Sequence, residues 1–120
     1  MPLATEYSSP EPLREDIDAL PGPTLLEFGT PWCGHCRALQ PLLAKALAEH
    51  PEIRHIKVED GSGLPLGRSF RVRLWPTLVF LRDGEEFERM ARPNDLQRVR
   101  QALSGITAPD QPQNGSISTA

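Results

Sequence analysis

The sequence predicts an α/β sandwich in which helices flank a mixed central β-sheet. Short apolar runs alternate with longer segments of helical periodicity, and Asp83-Gly84 then separates two further strand-like runs. Alternating strands and helices are typical of parallel pairing, whereas an Asp-Gly turn joins antiparallel strands. One sheet should therefore contain both kinds of pairing. A chain of 120 residues suffices for one domain with a modest core.

Capping residues and apolar periodicity predict the elements in order. The N-terminal half is predicted to contain a helix from Pro10 capped by Ser8 or Ser9, a buried strand over residues 24–29, a helix over residues 33–50 that Pro41 should kink, and a strand over residues 53–58. The C-terminal half is predicted to contain a short helix over residues 65–70, hairpin strands over residues 77–81 and 85–90, and a last helix capped at Asn94 and stopped by Gly105.

These signals divide the chain into an N-terminal segment over residues 1–12, one folded domain over residues 13–105 and a tail over residues 106–120. The tail is rich in Pro, Gln, Ser and Thr. We expect it to be disordered, because it has little apolar surface to bury.

Charge and hydropathy limit which classes of partner and which cellular compartment we expect for this chain. The net charge of -3 and the pI near 5.6 argue against nucleic-acid and anionic-membrane partners, which require a clustered basic surface. The N-terminus lacks the basic start and apolar run of a signal peptide, and no stretch is long enough to span a membrane. We expect a cytoplasmic monomer. The alternative is a secreted chain whose signal peptide has been removed, because its sequence would show the same features.

Cys33 and Cys36 are the only two cysteines and lie where an apolar strand leads into a helix. Their spacing allows a disulfide within one helical turn, and a helix N-terminus stabilises a thiolate. A zinc site would need further ligands, for which the nitrogen donors are His35, His50 and His55. A purely structural disulfide would close too short a loop to stabilise the fold much. A redox-active dithiol, without a metal or other cofactor, is the leading hypothesis.

Two ionisable side chains near this pair are candidates for tuning it. Glu27 is a carboxylate among apolar strand residues, and burial should raise its pKa so that it can exchange a proton with Cys36 through water. His35, when protonated, would stabilise the Cys33 thiolate and make the disulfide a stronger oxidant. The alternatives are a Glu27 that reaches solvent at a frayed strand end and a His35 that merely faces solvent.

The order of elements and a set of motifs resemble the thioredoxin superfamily over about residues 13–103. The residues that carry the resemblance are Glu27-Phe28, Pro31-Trp32-Cys33-Gly34-His35-Cys36, Pro41, Lys57, Trp75-Pro76-Thr77 and Gly84. The Cys-Gly-His-Cys motif resembles the active site of protein disulfide isomerases, whereas the single-domain length resembles thioredoxin. The resemblance implies a thioredoxin-like three-layer sandwich, with a mixed central β-sheet flanked by helices.

The resemblance also implies residue roles. Cys33 would be the exposed attacking thiolate and Cys36 the shielded resolving thiol. Glu27 and Lys57 would transfer the proton of the resolving thiol. Gly34 and His35 would tune the reduction potential. The substrate surface would be formed by Trp32, Trp75, the cis-proline Pro76, Ala91 and Arg92. Three departures are Gly29, where relatives often carry an aromatic residue, Trp75, where a smaller aliphatic residue usually precedes the proline, and Arg92, where thioredoxins often have glycine.

The expected function is reduction of protein or peptide disulfides through a mixed disulfide of Cys33 that Cys36 resolves. The resemblance implies that electrons would come from a thioredoxin reductase using NADPH. An oxidase or isomerase in an oxidising compartment is the first alternative. The second is a non-catalytic module that binds client proteins near Trp75 and Arg92.

Overall fold

A computed structural model describes residues 3–107 of the chain. Within this range the elements are α1 (Arg14–Asp18), β1 (Pro23–Gly29), α2 (Gly34–Leu47), β2 (Arg54–Glu59), α3 (Pro65–Ser69), β3 (Thr77–Arg82), β4 (Glu85–Ala91) and α4 (Leu96–Thr107). The strand order is β2-β1-β3-β4, with β1 parallel to β2 and both other pairings antiparallel. The mixed sheet flanked by helices confirms the predicted fold class.

The central strand β1 is buried on both faces, because each face of the sheet is covered by helices. Leu25 packs with apolar residues of α2 and α4, whereas Leu26 and Phe28 pack with those of α1 and α3. Side chains alternate along a strand, so Glu27 lies on the same face as Leu25. This alternation directs a carboxylate toward α2, the helix that begins beside the cysteines.

Residues 3–8, which we call the strap, run along the outer edge of β2. Tyr7 forms an isolated parallel bridge with Lys57, and the Ser8 N–H donates to the Lys57 carbonyl at 2.9 Å. The Ala4 N–H donates to Nδ1 of His55, also at 2.9 Å. The strap therefore adds backbone hydrogen bonds to an edge that would otherwise lack a neighbour.

The first helix starts later than predicted. Leu13, without a side-chain hydrogen bond, is the N-cap of α1, and the helix begins at Arg14 rather than Pro10. Ser8 and Ser9 lie too far before Arg14 to cap the helix, and the Ser8 N–H instead donates to β2 from the strap. Ile17 is the buried residue of this short helix.

The last helix differs from its prediction at both ends. Oδ1 of Asp95, rather than Asn94, accepts the exposed N–H of Gln97, at 2.9 Å. Gly105 does not stop α4, because it lies inside the helix, where a Cβ would come within 2.5 Å of the Phe87 ring. Ile106, predicted to belong to the tail, is fully buried. The rest of the predicted tail, residues 108–120, lies outside the described residues.

The β3–β4 hairpin confirms the turn predicted from Asp83-Gly84. Both residues have positive φ, of 52° and 80°, as a two-residue hairpin turn requires. The other boundaries lie within a few residues of those predicted, and Pro41 lies inside α2. Over residues 3–107, no helix has the length and apolar character needed to cross a membrane.

Candidate active site

The two cysteines lie at the junction between the end of β1 and the start of α2, and both are free thiols. Cys33 is the N-cap of α2, with extended backbone angles. Its Sγ accepts a hydrogen bond from the N–H of Cys36 at 3.2 Å. A sulfur in this position receives one of the unpaired N–H groups of the first helical turn.

The two sulfurs differ in exposure in the predicted direction, but by less than predicted. Cys33 is 8% exposed and Cys36 is 2% exposed. The expectation of an openly exposed Cys33 is therefore wrong, because its Sγ is turned over the first turn of α2. Burial, with the hydrogen bond to Cys33 and the nearby negative charges, raises the pKa of Cys36 to about 12. Cys36 thus keeps its proton at neutral pH.

Glu27 is completely buried, so it does not escape to solvent at the strand end. Its Oε1 lies 2.8 Å from Nε2 of His55. Its Oε2 lies 2.7 Å from Nε2 of Gln40 and 3.6 Å from Nζ of Lys57. The carboxylate therefore has a partner on each oxygen.

These partners reverse the predicted pKa shift of Glu27. Burial alone would raise the pKa of this carboxyl. The hydrogen bond from His55, the positive charge of Lys57 and the hydrogen bond from Gln40 outweigh burial, and they hold its pKa below the ordinary value. The prediction of a raised pKa is wrong, because the sequence of one strand does not reveal the partners contributed by β2 and α2. Glu27 is ionised at neutral pH.

Gln40 links this carboxylate to the helix that carries the cysteines. Its Nε2 donates to Oε2 of Glu27 and, at 2.8 Å, to the carbonyl of Cys36. Its Oε1 accepts from Nζ of Lys57 at 3.2 Å. Three partners thus fix the orientation of the amide.

Sequence reasoning missed Gln40, His55 and Tyr7 as site residues. Gln40 was detectable as the residue one helical turn after Cys36. His55 was detectable as the residue two positions before Lys57 on the same strand, and so on the same face. Tyr7 carried no usable signal, because the path of the strap across β2 is set by tertiary contacts.

A cavity of ≈ 380 Å³ opens on the side of Cys36 that faces the strap. Its lining residues are Leu3, Thr5, Tyr7, Thr30, Pro31, Cys36, Arg37, Gln40 and Lys57. Nζ of Lys57 lies 4.8 Å from the centre of the Tyr7 ring. Burial and the neighbouring negative charges raise the pKa of Tyr7, so its hydroxyl is neutral. Lys57 is therefore held between a carboxylate and an aromatic ring.

The loop before β3 presents a cis Trp75–Pro76 peptide bond, as the resemblance predicts for Pro76. The Trp32 and Trp75 rings meet edge to face, 5.5 Å apart, and Nε1 of Trp75 donates to Oδ2 of Asp60 at 2.8 Å. Trp32 remains 68% exposed. This places two aromatic side chains beside the Cys33 end of α2.

Arg92 fastens this loop from the end of β4. Its N–H donates to the Pro76 carbonyl at 2.8 Å, and its Nε donates to the Trp75 carbonyl at 2.7 Å. Its φ of 50° lies in the left-handed region, which glycine adopts more readily than arginine does. Ala91, just before it, pairs with Thr77 in the β3–β4 ladder and is exposed.

The two predicted redox-tuning residues lie in the first turn of α2 and are exposed. A Cβ on Gly34 would contact nothing within 4 Å. His35 lines a second cavity with Pro76 and Arg92. Across residues 3–107, the structure brings together no group of three or more His, Cys, Asp or Glu side chains suited to a metal ion.

Comparison with known proteins points to one family. A sequence profile described as Thioredoxin matches residues 5–105. The reduced form of thioredoxin 2 from Pseudomonas aeruginosa PAO1 is 53% identical, with a TM-score of 0.77, over 88% of this chain and 97% of that chain. A thioredoxin from Chlamydia trachomatis is 32% identical over 83 residues, which make up 69% of this chain and 81% of the relative.

Relatives of a second type carry the domain within longer proteins. The protein disulfide-isomerase of Gallus gallus is 43% identical over 82 residues, or 65% of this chain. The chain spans only 15% of the length of that protein, and likewise 15% of the Oryctolagus cuniculus protein disulfide-isomerase. The likeness to these enzymes thus concerns one domain.

Proposed function

This chain belongs to the thioredoxin family of thiol–disulfide oxidoreductases, and we propose that it reduces disulfide bonds in proteins or peptides. One observation carries the proposal. Cys33 caps α2 with its sulfur on a backbone N–H, while Cys36, one turn further, is buried with a raised pKa. The pair thus combines an attacking sulfur with a protonated resolving sulfur.

The reaction proceeds in two exchanges. The Cys33 thiolate attacks one sulfur of the substrate disulfide, forms the mixed disulfide and releases the other substrate sulfur as a thiolate. Cys36 then loses its proton and attacks the sulfur of Cys33, which forms the Cys33–Cys36 disulfide and releases the second substrate sulfur. Two electrons pass from the dithiol to the substrate, and two protons end on the released thiols.

Glu27 acts in the second exchange. Its carboxylate is ionised and is linked through Gln40 to the backbone of Cys36. A buried base of this kind accepts the Cys36 proton through water as the thiol attacks. The positive charge of Lys57 compensates the negative charge left on the Cys36 sulfur when this proton leaves. Because the pKa of Glu27 is low, it accepts the proton only transiently and releases it to the leaving thiolate or to solvent.

The substrate surface in this proposal is formed by Trp32, Trp75, Pro76, Ala91 and Arg92. The aromatic rings and the loop fastened by Arg92 flank the Cys33 end of α2. An extended substrate segment would lie against this loop. We further propose that the protein acts as a cytoplasmic monomer and that a thioredoxin reductase restores its dithiol.

An oxidase or isomerase remains the competing function. The Cys-Gly-His-Cys motif and the relatives named protein disulfide-isomerase favour it. A protein that reduces disulfides and one that oxidises or isomerises them differ in reduction potential. Equilibration with glutathione buffers measures this potential. A potential near that of thioredoxin, about -270 mV, supports net reduction, whereas one near that of protein disulfide isomerase, about -180 mV, supports oxidation or isomerisation.

Reduction of insulin by dithiothreitol tests the enzymatic proposal. We expect the wild-type chain to accelerate the reaction and Cys33→Ser to abolish the acceleration. Cys36→Ser should accumulate a covalent adduct with a disulfide peptide, which mass spectrometry detects. Equal adduct formation by both variants would overturn the assigned roles. Client binding that survives Cys33→Ser, without any turnover by the wild type, would instead support a non-catalytic binding module.

A further inference from the structure

His55 occupies a position in the redox site for which the proposed mechanism has no role. It lies on β2, two residues before Lys57, and only 1% of its side chain is exposed. Its Nε2 lies 2.8 Å from Oε1 of Glu27. Its other ring nitrogen, Nδ1, faces the strap and accepts the Ala4 N–H at 2.9 Å. The imidazole thus bridges the N-terminal backbone and the buried carboxylate.

The two contacts determine which ring nitrogen carries the proton. A backbone N–H can only donate, so Nδ1 must present a lone pair to Ala4. A neutral imidazole with a bare Nδ1 carries its proton on Nε2. That proton points at Oε1 of Glu27, which as an ionised oxygen can only accept.

The opposite tautomer does not fit this arrangement. With the proton on Nδ1, two N–H groups would face each other at the strap. Nε2 would then present a lone pair to Oε1, and this contact would be repulsive unless Glu27 were protonated. The Ala4 N–H therefore affects the Glu27 carboxylate indirectly, through the imidazole ring of His55.

We propose that His55 is a positioning residue of the redox site: the N–H of Ala4 holds it as the Nε2–H tautomer, and Nε2 in turn holds Glu27 ionised and oriented toward Gln40 and Lys57. The strap thereby takes part in setting the proton chemistry of the Cys33–Cys36 pair. The catalytic part of this inference rests on the proposed function, whereas the tautomer does not.

The consequence is a pH dependence centred on Glu27. The titratable groups around this carboxylate are His55 and Lys57 on β2, Cys33 and Cys36 at the start of α2, and Tyr7 on the strap. Lys57 and Gln40 still favour the ionised form when the His55 donor is lost. Removing that donor should therefore raise the pKa of Glu27 by a limited amount, because one of several lowering interactions disappears.

Nitrogen-15 NMR of the full chain tests the tautomer directly. At pH 8, where an ordinary imidazole is neutral, we expect wild-type His55 to show a protonated Nε2 and a bare Nδ1. Ala4→Pro removes the N–H that fixes this state, and it should produce a measurable population of the Nδ1–H tautomer. Thr5→Pro, one residue along the strap, is the matched control and should retain the wild-type pattern. A protonated Nδ1 in the wild-type chain would overturn the inference.

Carbon-13 NMR of the Glu27 carboxyl and the rate of the resolving step test the link to the redox site. His55→Leu should make Glu27 about tenfold easier to protonate, a rise of about one pH unit in its midpoint. His55→Gln, whose amide can donate to Oε1, should recover most of this change. The pH profile of mixed-disulfide resolution should move with the Glu27 midpoint in both variants.

The outcomes separate this inference from the proposed function. A chain without disulfide reductase activity would defeat the proposed function, but it would leave the NMR tests intact. An unchanged Glu27 midpoint in both His55→Leu and Ala4→Pro would show that His55 only fills space, whatever the activity.

Discussion

The backbone of Gly29 occupies the position against which the sulfur of Cys36 packs, and a Cβ built on Gly29 would lie 2.5 Å from that Sγ. The Tyr7 hydroxyl would lie 3.4 Å from the same Cβ position. The last residue of β1 is therefore in direct contact with the resolving thiol. A side chain at this position has to displace either the sulfur or the strap.

Gly29→Ala should destabilise the fold by about 1–3 kcal/mol, as overpacking of a filled site does. It should also turn Cys36 outward and accelerate its alkylation by iodoacetamide. Urea denaturation and timed alkylation measure the two effects. Gly34→Ala is the control, because a Cβ there would contact nothing within 4 Å, and it should leave both quantities nearly unchanged. Equal effects of the two substitutions would show that the Gly29 contact is unimportant.

Glu27→Gln should destabilise the fold at pH 7 by about 3 kcal/mol, because it leaves the Lys57 ammonium buried without its counter-ion. For a buried carboxylate without partners the expectation would be the opposite, a neutral or stabilising change, because glutamine removes a desolvated charge. Urea denaturation measures the difference. Glu49→Gln, which breaks an exposed pair with Arg100, should cost at most about 1 kcal/mol.

The same carboxylate should make stability fall in acid. Its pKa is lower in the fold than the ordinary value of 4.5, so its contribution is fully present above that value and disappears as the pH falls through the folded pKa. The free energy of unfolding of the wild type should therefore decline below about pH 4.5, and Glu27→Gln should lack this part of the decline. Parallel pH profiles in the two proteins would contradict the lowered pKa.

Arg92→Gly should change stability by less than about 1 kcal/mol, because relief of the left-handed backbone offsets loss of the bond from Nε to the Trp75 carbonyl. Arg92→Val loses the same bond and places a β-branched residue at positive φ, so it should be clearly less stable. Thermal denaturation of both variants measures the difference. If valine were tolerated as well as glycine, backbone strain would not govern this position.

His35→Pro should make the protein more reducing by tens of millivolts, where about 30 mV corresponds to ~1.4 kcal/mol. The substitution removes a cation-forming side chain from the first turn of α2, a location where proline is tolerated. Glutathione equilibration measures the potential, and His35→Ala separates loss of the imidazole from the presence of proline. An unchanged or more oxidising His35→Pro variant would show that His35 does not set the reduction potential.

Features specified by adjacent residues could be predicted from the sequence. Asp83-Gly84 defines a tight hairpin by itself, since both residues tolerate positive φ. The approach of Lys57 to Glu27 followed from the family resemblance and agrees with their paired register in β1 and β2. The spacing of Cys33 and Cys36 likewise places both at the start of one helix.

Features that depend on distant partners could not be predicted in this way. The sign of the Glu27 pKa shift depends on His55, 28 residues away. Gly105 resembles a helix stop, but it is retained inside α4 because Phe87 packs where a side chain would otherwise lie. Asn94 and Asp95 are both good caps by composition, and only the position of the Gln97 N–H shows which of them is used.

The strap has a further effect that concerns neighbouring molecules rather than catalysis. With the strap in place, backbone groups of Lys57 at the outer edge of β2 are paired within the chain. If residues 3–8 were clipped by a protease, this edge would present unpaired N–H and C=O groups that a strand from another copy could bond. The opposite edge is less vulnerable, because β4 carries the charged residues Glu85, Glu86, Glu88 and Arg89. Loss of the strap would therefore promote aggregation through β2.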